Sequence, residues 1–419
     1  MPEVVVLGSA RTPIGAFCGS LADLTAAELG STAIREALRR SGLPSDELAE
    51  VDEVVMGNVL GAGQGQNPAR QAAIRAGLPL SVGATTVNKV CGSGLKAVML
   101  AAQAIRLGDA RCVVAGGMES MSRAPYLLPK ARQGFRMGHG EVIDSLIHDG
   151  LWDVYGGKHM GTYGDQCAAH VGLSRQDQDD FAVRSFTRAQ RAQADGAFAA
   201  EIAPVSIVAR KQTTTVTSDE GPARFDESKL RALRPAFGEA GTVTAGNASS
   251  INDGAAALVV ASDDWASRRD LTPRARVVGF TTFSREPEWF TLAPIGALRK
   301  LLDQVGWTVA STDLFEINEA FSAVALAAER ELGIPPEKVN PYGGAVALGH
   351  PIGCSGARIL VTLLNALHRR DERRGIACLC IGGGEAVALA VERLGRLNST
   401  HAWLAADWRK IAGARSVTT

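Results

Sequence analysis

Two thiols, an imidazole and an amide stand out by their settings in this 419-residue chain. Cys91, in "TTVNKVCGSGLKAV", follows a β-branched run and precedes glycines and a helical pattern. Asn318, in "EINEAF", ends a short apolar run. His350, in "GGAVALGHPIGCSGAR", lies between glycine clusters beside Pro351. Cys380, in "CLCIGGGEA", ends an apolar run that enters three glycines. Taken alone, each has a structural explanation: a buried inert cysteine, a turn-capping asparagine, a histidine bonded within its own loop. At Cys91 the competing reading is a thiol presented to the free N–H groups of a helix N-terminus, which favour thiolate. Gathered at one point, the set would do acyl chemistry. A thiolate is both nucleophile and leaving group, suited to moving an acyl group between thioesters. An adjacent imidazole can take the thiol's proton and then stabilise charge on a carbonyl oxygen. A second sulfur of near-neutral pKa can remove a proton α to a thioester carbonyl, and the N–H groups of a glycine turn can hold the enolate. The sum is carbon–carbon bond formation by acyl transfer, or its reverse.

What would bring these residues together is a repeat. "DEVVMGNVLGAG" places Asn58 after a short strand as "TDLFEINEAFSA" places Asn318. "VCGSGLKAVMLAAQAI" is matched by "GCSGARILVTLLNAL", and "ARCVVAGGMES" by "IACLCIGGGEA". Ser93-Gly94 and Ser355-Gly356 stand 262 positions apart, and Gly116-Gly117 and Gly382-Gly383 stand 266 apart. "EVVVLGSARTP" and "PRARVVGFTTFS" each read as a strand entering a turn. Strands alternating with helical patterns predict an α/β fold with helices on the sheet faces. The division expected is residues 1–119 plus 249–268, an insertion at 120–248, residues 269–395, and an extension at 396–419 with a short helix around 403–411. The insertion has no counterpart in the second half and reads as a lobe or lid over the site. It holds a predicted helix from Ser174, with Asp177 three residues on as a capping pair.

Composition narrows the partners. Lys plus Arg and Asp plus Glu are 44 each, so no charge excess argues for nucleic acid or an anionic membrane. The opening lacks a basic region followed by a long apolar core, and runs such as "GIACLCIGGG" are too short to span a bilayer. A cytoplasmic protein is the expectation. Seven cysteines without a secretory signal argue against a disulfide framework, and "CLC" lacks the second ligand pair of a zinc site. No metal and no cofactor are expected.

Five segments, "VNKVCGSGLKAV", "AGNASSINDGAAAL", "NEAF", "NPYGGAVALGHPIGCSGAR" and "CLCIGGGEA", resemble the signature segments of the thiolase family, in its order, within a resemblance running from residue 2 to about 395. The late cysteine separates the pattern from the related ketoacyl synthases. The resemblance implies an α-β-α-β-α fold of two pseudo-symmetric halves with an inserted loop domain. It implies an acyltransferase that joins two acetyl-CoA into acetoacetyl-CoA and CoA. The alternatives are thiolysis of longer 3-ketoacyl-CoA, or a non-catalytic acyl-CoA or lipid binder. By the same resemblance, Cys91 is the acylated nucleophile, and His350 activates it and forms an oxyanion hole with a water on Asn318. Cys380 is the acid/base, and the N–H groups of Cys91 and Gly382 form a second oxyanion hole. Leu151, His159, Met160, Arg224, Ala236, Phe237, Ser249, Ala320 and Phe321 fall at positions around the coenzyme A thioester substrate. A homo-oligomer, commonly a tetramer, is implied too. Four residues depart from the pattern: Ser250 stands for a glycine, Glu385 and Ala386 follow the last glycines, and Phe290 stands where methionine is frequent, which predicts a short acyl pocket. Glu385 either raises the pKa of Cys380 by like charge or is solvated or paired with a cation.

Overall fold

The computed structural model describes residues 2–209 and 212–395; the helix expected around 403–411 lies outside them. Aliphatic and β-branched runs form the strands. The first half supplies β1 (Val4–Arg11), β2 (Glu53–Gly57), β3 (Gly83–Val87), β4 (Cys112–Ser120) and β5 (Asn252–Ser262), with helices α1 (Ala26–Ser41), α2 (Pro68–Arg75) and α3 (Ser93–Leu107). The segment between β4 and β5 holds α4 (Met160–His170) and α5 (Arg175–Ala194). The second half supplies β6 (Ala275–Ser284), α6 (Ala293–Val305), β7 (Leu314–Ile317) and α7 (Ser322–Leu332). Its last elements are α8 (Ile352–Arg369), β8 (Arg374–Ile381) and β9 (Glu385–Arg393).

These strands lie in the order β7-β8-β9-β6-β1-β5-β4-β2-β3. The halves meet at β1 and β6 through only Val5–Arg276 and Val6–Ala275. Outward from that seam each half repeats one pattern. β1-β5 and β5-β4 are antiparallel and β4-β2 parallel; β6-β9 and β9-β8 are antiparallel and β8-β7 parallel. The repeat seen in sequence is therefore a repeat of topology. Among these nine strands β3 has no strand counterpart: at its place Val339 makes a single parallel bridge to Phe315.

Period-two alternation sorts the strand side chains into layers. Val113 and Ala115 of β4, with Ala377, Leu379 and Ile381 of β8, face a middle layer made by α3 and α8. Cys112 and Val114 face α1 and α2 on one outer side, while Ile376 and Cys378 face α6 and α7 on the other. Each Val or Leu buried this way stabilises the fold by about 1.5–3 kcal/mol. Residues Val90–Leu107 are long and apolar enough to cross a membrane by length and composition, contrary to the expectation that apolar runs fall short. Their apolar face, however, lies in this middle layer, where Leu95, Val98, Met99 and Ile105 are buried. The two middle helices touch backbone to backbone. A Cβ on Gly94 would stand 2.7 Å from Ala357 N, and one on Gly356 would stand 2.4 Å from Leu95 N. That contact is the reason Ser-Gly recurs.

The insertion is bound to both halves. Arg11, fully buried at the end of β1, bonds Glu201 at 2.6 Å and Asp219 at 2.7 and 2.9 Å. Cys167, Ala168 and Phe181 of α4 and α5 join the outer core of the second half. Ser174 and Asp177 form the expected capping box of α5.

Candidate active site

Cys91 stands at a tight corner between β3 and α3. Val90 is held at φ 47°, a region a β-branched residue rarely occupies. Ser93 fastens the corner: its Oγ accepts from Lys89 N at 2.8 Å and donates to Val90 O at 2.7 Å. Burial pushes the Cys91 thiol up to about 11, against the N–H groups of Gly382 and of Cys91 itself, which favour the thiolate. The thiolate expected from the helix N-terminus is thus not the resting form. Desolvation outweighs two donors.

His350 lies between the short helix Ala345–Leu348 and α8 and is 6% exposed. Its backbone N–H donates to Asn252 Oδ1 at 3.0 Å, and Ser250 Oγ donates to the same oxygen at 2.8 Å. Ser250, which replaces a glycine, therefore steadies the asparagine beneath the histidine loop. The ring's Nδ1 is 2.5 Å from Ser355 Oγ, and that hydroxyl sits 2.9 Å from Pro351 O. A hydroxyl has one proton to give. Given to Pro351 O, it leaves Ser355 to accept from Nδ1–H, so Nε2 is bare, and no protein group bonds it. Burial, aided by the Arg358 guanidinium, holds the imidazole at about 3. A neutral ring with a free Nε2 is a proton acceptor.

Asn318 follows β7 and is fully buried, with its N–H on Cys378 O at 2.9 Å. Neither Nδ2 nor Oδ1 has a partner. Its counterpart in the repeat, Asn58, instead donates to Glu119 at 2.7 Å. A buried amide with both ends free is costly unless something occupies them. Glu119 also accepts from Val59 N, Leu60 N and Gly353 N, tying the Asn58 segment to the start of α8.

Cys380 is fully buried near the end of β8 and packs with Phe290, Ala320 and Phe321. Burial first, then charge on Cys91 and Cys378, pushes its thiol well above the ordinary range. The near-neutral pKa expected of a second sulfur is not its resting state. Glu385 does not act on Cys380; it pairs with Lys89 at 2.5 Å.

Cys91, His350 and Gly382 share one cavity of about 560 Å³ with Leu151, His159, Met160, Arg224, Ala236, Phe237, Ser249, Ala320 and Phe321. Asn318 and Cys380 are not on its lining; Cys380 packs against lining residues, and Asn318 precedes Ala320 on one turn. His159 caps α4 by accepting from Gly161 N at 3.1 Å and stacks on Phe237 at 4.7 Å. Ser249 N and Oγ both bond Ala320 O at 3.0 Å, which closes the wall between the halves. Arg224 stands at the mouth, mostly exposed, 3.6 Å from Glu220. Phe290 also lines the cavity, set edge-on to Tyr163 at 6.2 Å. Sequence reasoning missed Phe17 at the rim, which no motif marks, and the supporting roles of Asn252 and Ser355, which lie inside quoted motifs. Among the described residues no group of three or more His, Cys, Asp or Glu could hold a metal.

The family descriptions "Thiolase, N-terminal domain" and "Thiolase, C-terminal domain" match residues 4–264 and 271–393. An acetyl-CoA acetyltransferase of Cupriavidus necator is 52% identical over 395 residues, covering 94% of this chain and all (100%) of that protein. Acetyl-CoA acetyltransferase 2 of Arabidopsis thaliana is 53% identical over 395 residues, covering 94% of this chain and 97% of that protein. The crystal structure of Acat5 thiolase from Ascaris suum in complex with coenzyme A superposes with a TM-score of 0.89 at 44% identity, covering 94% of this chain and 100% of that one. The chain belongs to the thiolase family.

Proposed function

We propose that this protein is an acetyl-CoA acetyltransferase, condensing two acetyl-CoA into acetoacetyl-CoA and free CoA through an acetylated Cys91, and running the reverse thiolysis. The observation that carries the reading is the convergence of Cys91, the bare Nε2 of His350 and Gly382 on one cavity, backed by relatives of that name. His350 Nε2 takes the Cys91 proton as the sulfur attacks the thioester carbonyl, and CoA leaves as the thiol when the proton is returned. The developing oxyanion is held by the N–H groups of Cys91 and Gly382. In the second half-reaction Cys380 removes an α-proton from the incoming acetyl-CoA. A water on Asn318, with His350, holds the resulting enolate oxygen; the free ends of Asn318 support that role. The carbanion attacks acetyl-Cys91, the carbon–sulfur bond breaks, and the expelled Cys91 thiolate takes back the proton held on Cys380, so that both thiols are restored as acetoacetyl-CoA leaves. Residues 120–248 form the lobe that holds the CoA chain between His159, Met160, Phe237 and Phe321, with Arg224 at its outer end, between the halves 1–119 plus 249–268 and 269–395.

Phe290 limits the acyl group. It is 3% exposed, shares a cluster with Cys380, and is backed by Tyr163, whose hydroxyl bonds Asp153 at 2.7 Å. Initial rates against chain length test the substrate: turnover falls steeply beyond four carbons, and Phe290→Ala raises the six-to-four-carbon ratio about tenfold. Equal turnover of medium chains by the unaltered enzyme contradicts the reading, as does sequential rather than ping-pong kinetics. We further propose a cytoplasmic homotetramer; exposed apolar side chains of the insertion, among them Tyr126, Met137, Val154 and Tyr155, support burial against other copies.

A further inference from the structure

Glu385 opens β9 directly across the hairpin from Ile381, at the base of the turn Gly382–Gly384. Its Oε2 meets Lys89 Nζ at 2.5 Å, and its Oε1 accepts from Ser284 Oγ at 3.2 Å. Lys89 belongs to the other half, two residues before Cys91, and its backbone is fastened to the first residue of α3 through Ser93 Oγ at 2.8 Å. A second contact joins the same two segments: a Cβ on Gly92 would come within 2.3 Å of Ile381 Cδ1, so loop 89–92 lies flush on the hairpin. The N–H groups of Cys91 and Gly382, the two that favour the Cys91 thiolate, therefore come one from each half, with no short covalent path between them. Packing between the halves fixes their separation, and the Lys89–Glu385 and Gly92–Ile381 contacts join the two segments that carry them.

We propose that the Lys89–Glu385 ion pair is a positioning device that sets the N–H of Cys91 against the N–H of Gly382 as a matched pair of donors for the reacting carbonyl oxygen. The proposal rests on the acetyl-Cys91 reading. The pair is 20% and 31% exposed, so its effect lies in donor placement and little in global stability. Donors aimed at developing charge must hold their places to a fraction of an ångström.

The test is a double-mutant cycle in the full-length enzyme: Lys89→Met, Glu385→Gln, both together, and Lys89→Arg. Acetoacetyl-CoA thiolysis gives kcat and KM, rapid quench gives the rate of Cys91 acetylation, and a thermal melt reads folding. Each single change lowers kcat and the acetylation rate about tenfold, with KM within about twofold and the melt unmoved. The double variant is no slower than the slower single one, and Lys89→Arg regains most of the rate. Multiplicative losses in the double variant, a change confined to KM or to melting, or Lys89→Arg as slow as Lys89→Met would overturn the inference. Unaltered enzyme that turns over without acetyl-Cys91 overturns the parent reading instead, and the inference falls with it.

Discussion

At rest Cys91 is a neutral thiol facing a cavity shared with a neutral imidazole, because burial disfavours both ions. The proton must move during the reaction. Alkylation of free enzyme by iodoacetamide at Cys91 therefore accelerates about tenfold per pH unit from pH 7 to 9; a rate flat across that range contradicts a thiol held near about 11. Ser355 fixes the imidazole tautomer, so Ser355→Ala lowers kcat about 10²-fold while acetyl-CoA binding holds. Steady-state kinetics with direct binding check this, and an unchanged kcat sinks the tautomer argument. The reactive residues were legible in sequence because cysteine, histidine and glycine-rich turns carry chemistry by type. Ser355 and Asn252 were not, since a hydroxyl or amide acquires its role only from the atom it meets. Nor was the protonation state of either thiol, which depends on how deeply the fold buries it.

At the scale of elements, α3 and α8 carry the site by the same device used twice. Ser93 braces the Cys91 corner and Ser355 braces His350, and the glycine after each lets the helices meet. Gly356→Val drives a branched side chain into Leu95 of the facing helix and costs about 3 kcal/mol of stability; urea unfolding measures it, and a loss under about 1 kcal/mol contradicts the close crossing. The repeat was readable because spacing between motifs survives in sequence, whereas strand order, set by pairing between distant segments, was not. How the insertion packs was not readable. Arg11 meets Glu201 and Asp219 across 190 and 208 residues, and nothing local in "SARTP" signals those partners.

Across the whole molecule, two copies of one topology leave two pseudo-equivalent positions, and only one keeps its chemistry free. Asn58 is tied to Glu119, whereas Asn318 has both ends open. The insertion, emerging from the first half and packing on the second, walls the cavity at that position. Sedimentation at micromolar protein should report a tetramer; a monomer that retains full activity would remove the assembly from the account. Mass analysis of the enzyme quenched with acetyl-CoA and digested decides whether Cys91 carries the acyl group. One acetyl group should appear on the Cys91 peptide, leave on addition of free CoA, and be absent in Cys91→Ser. Turnover with no acetyl group on Cys91, or with the group on another residue, would contradict it.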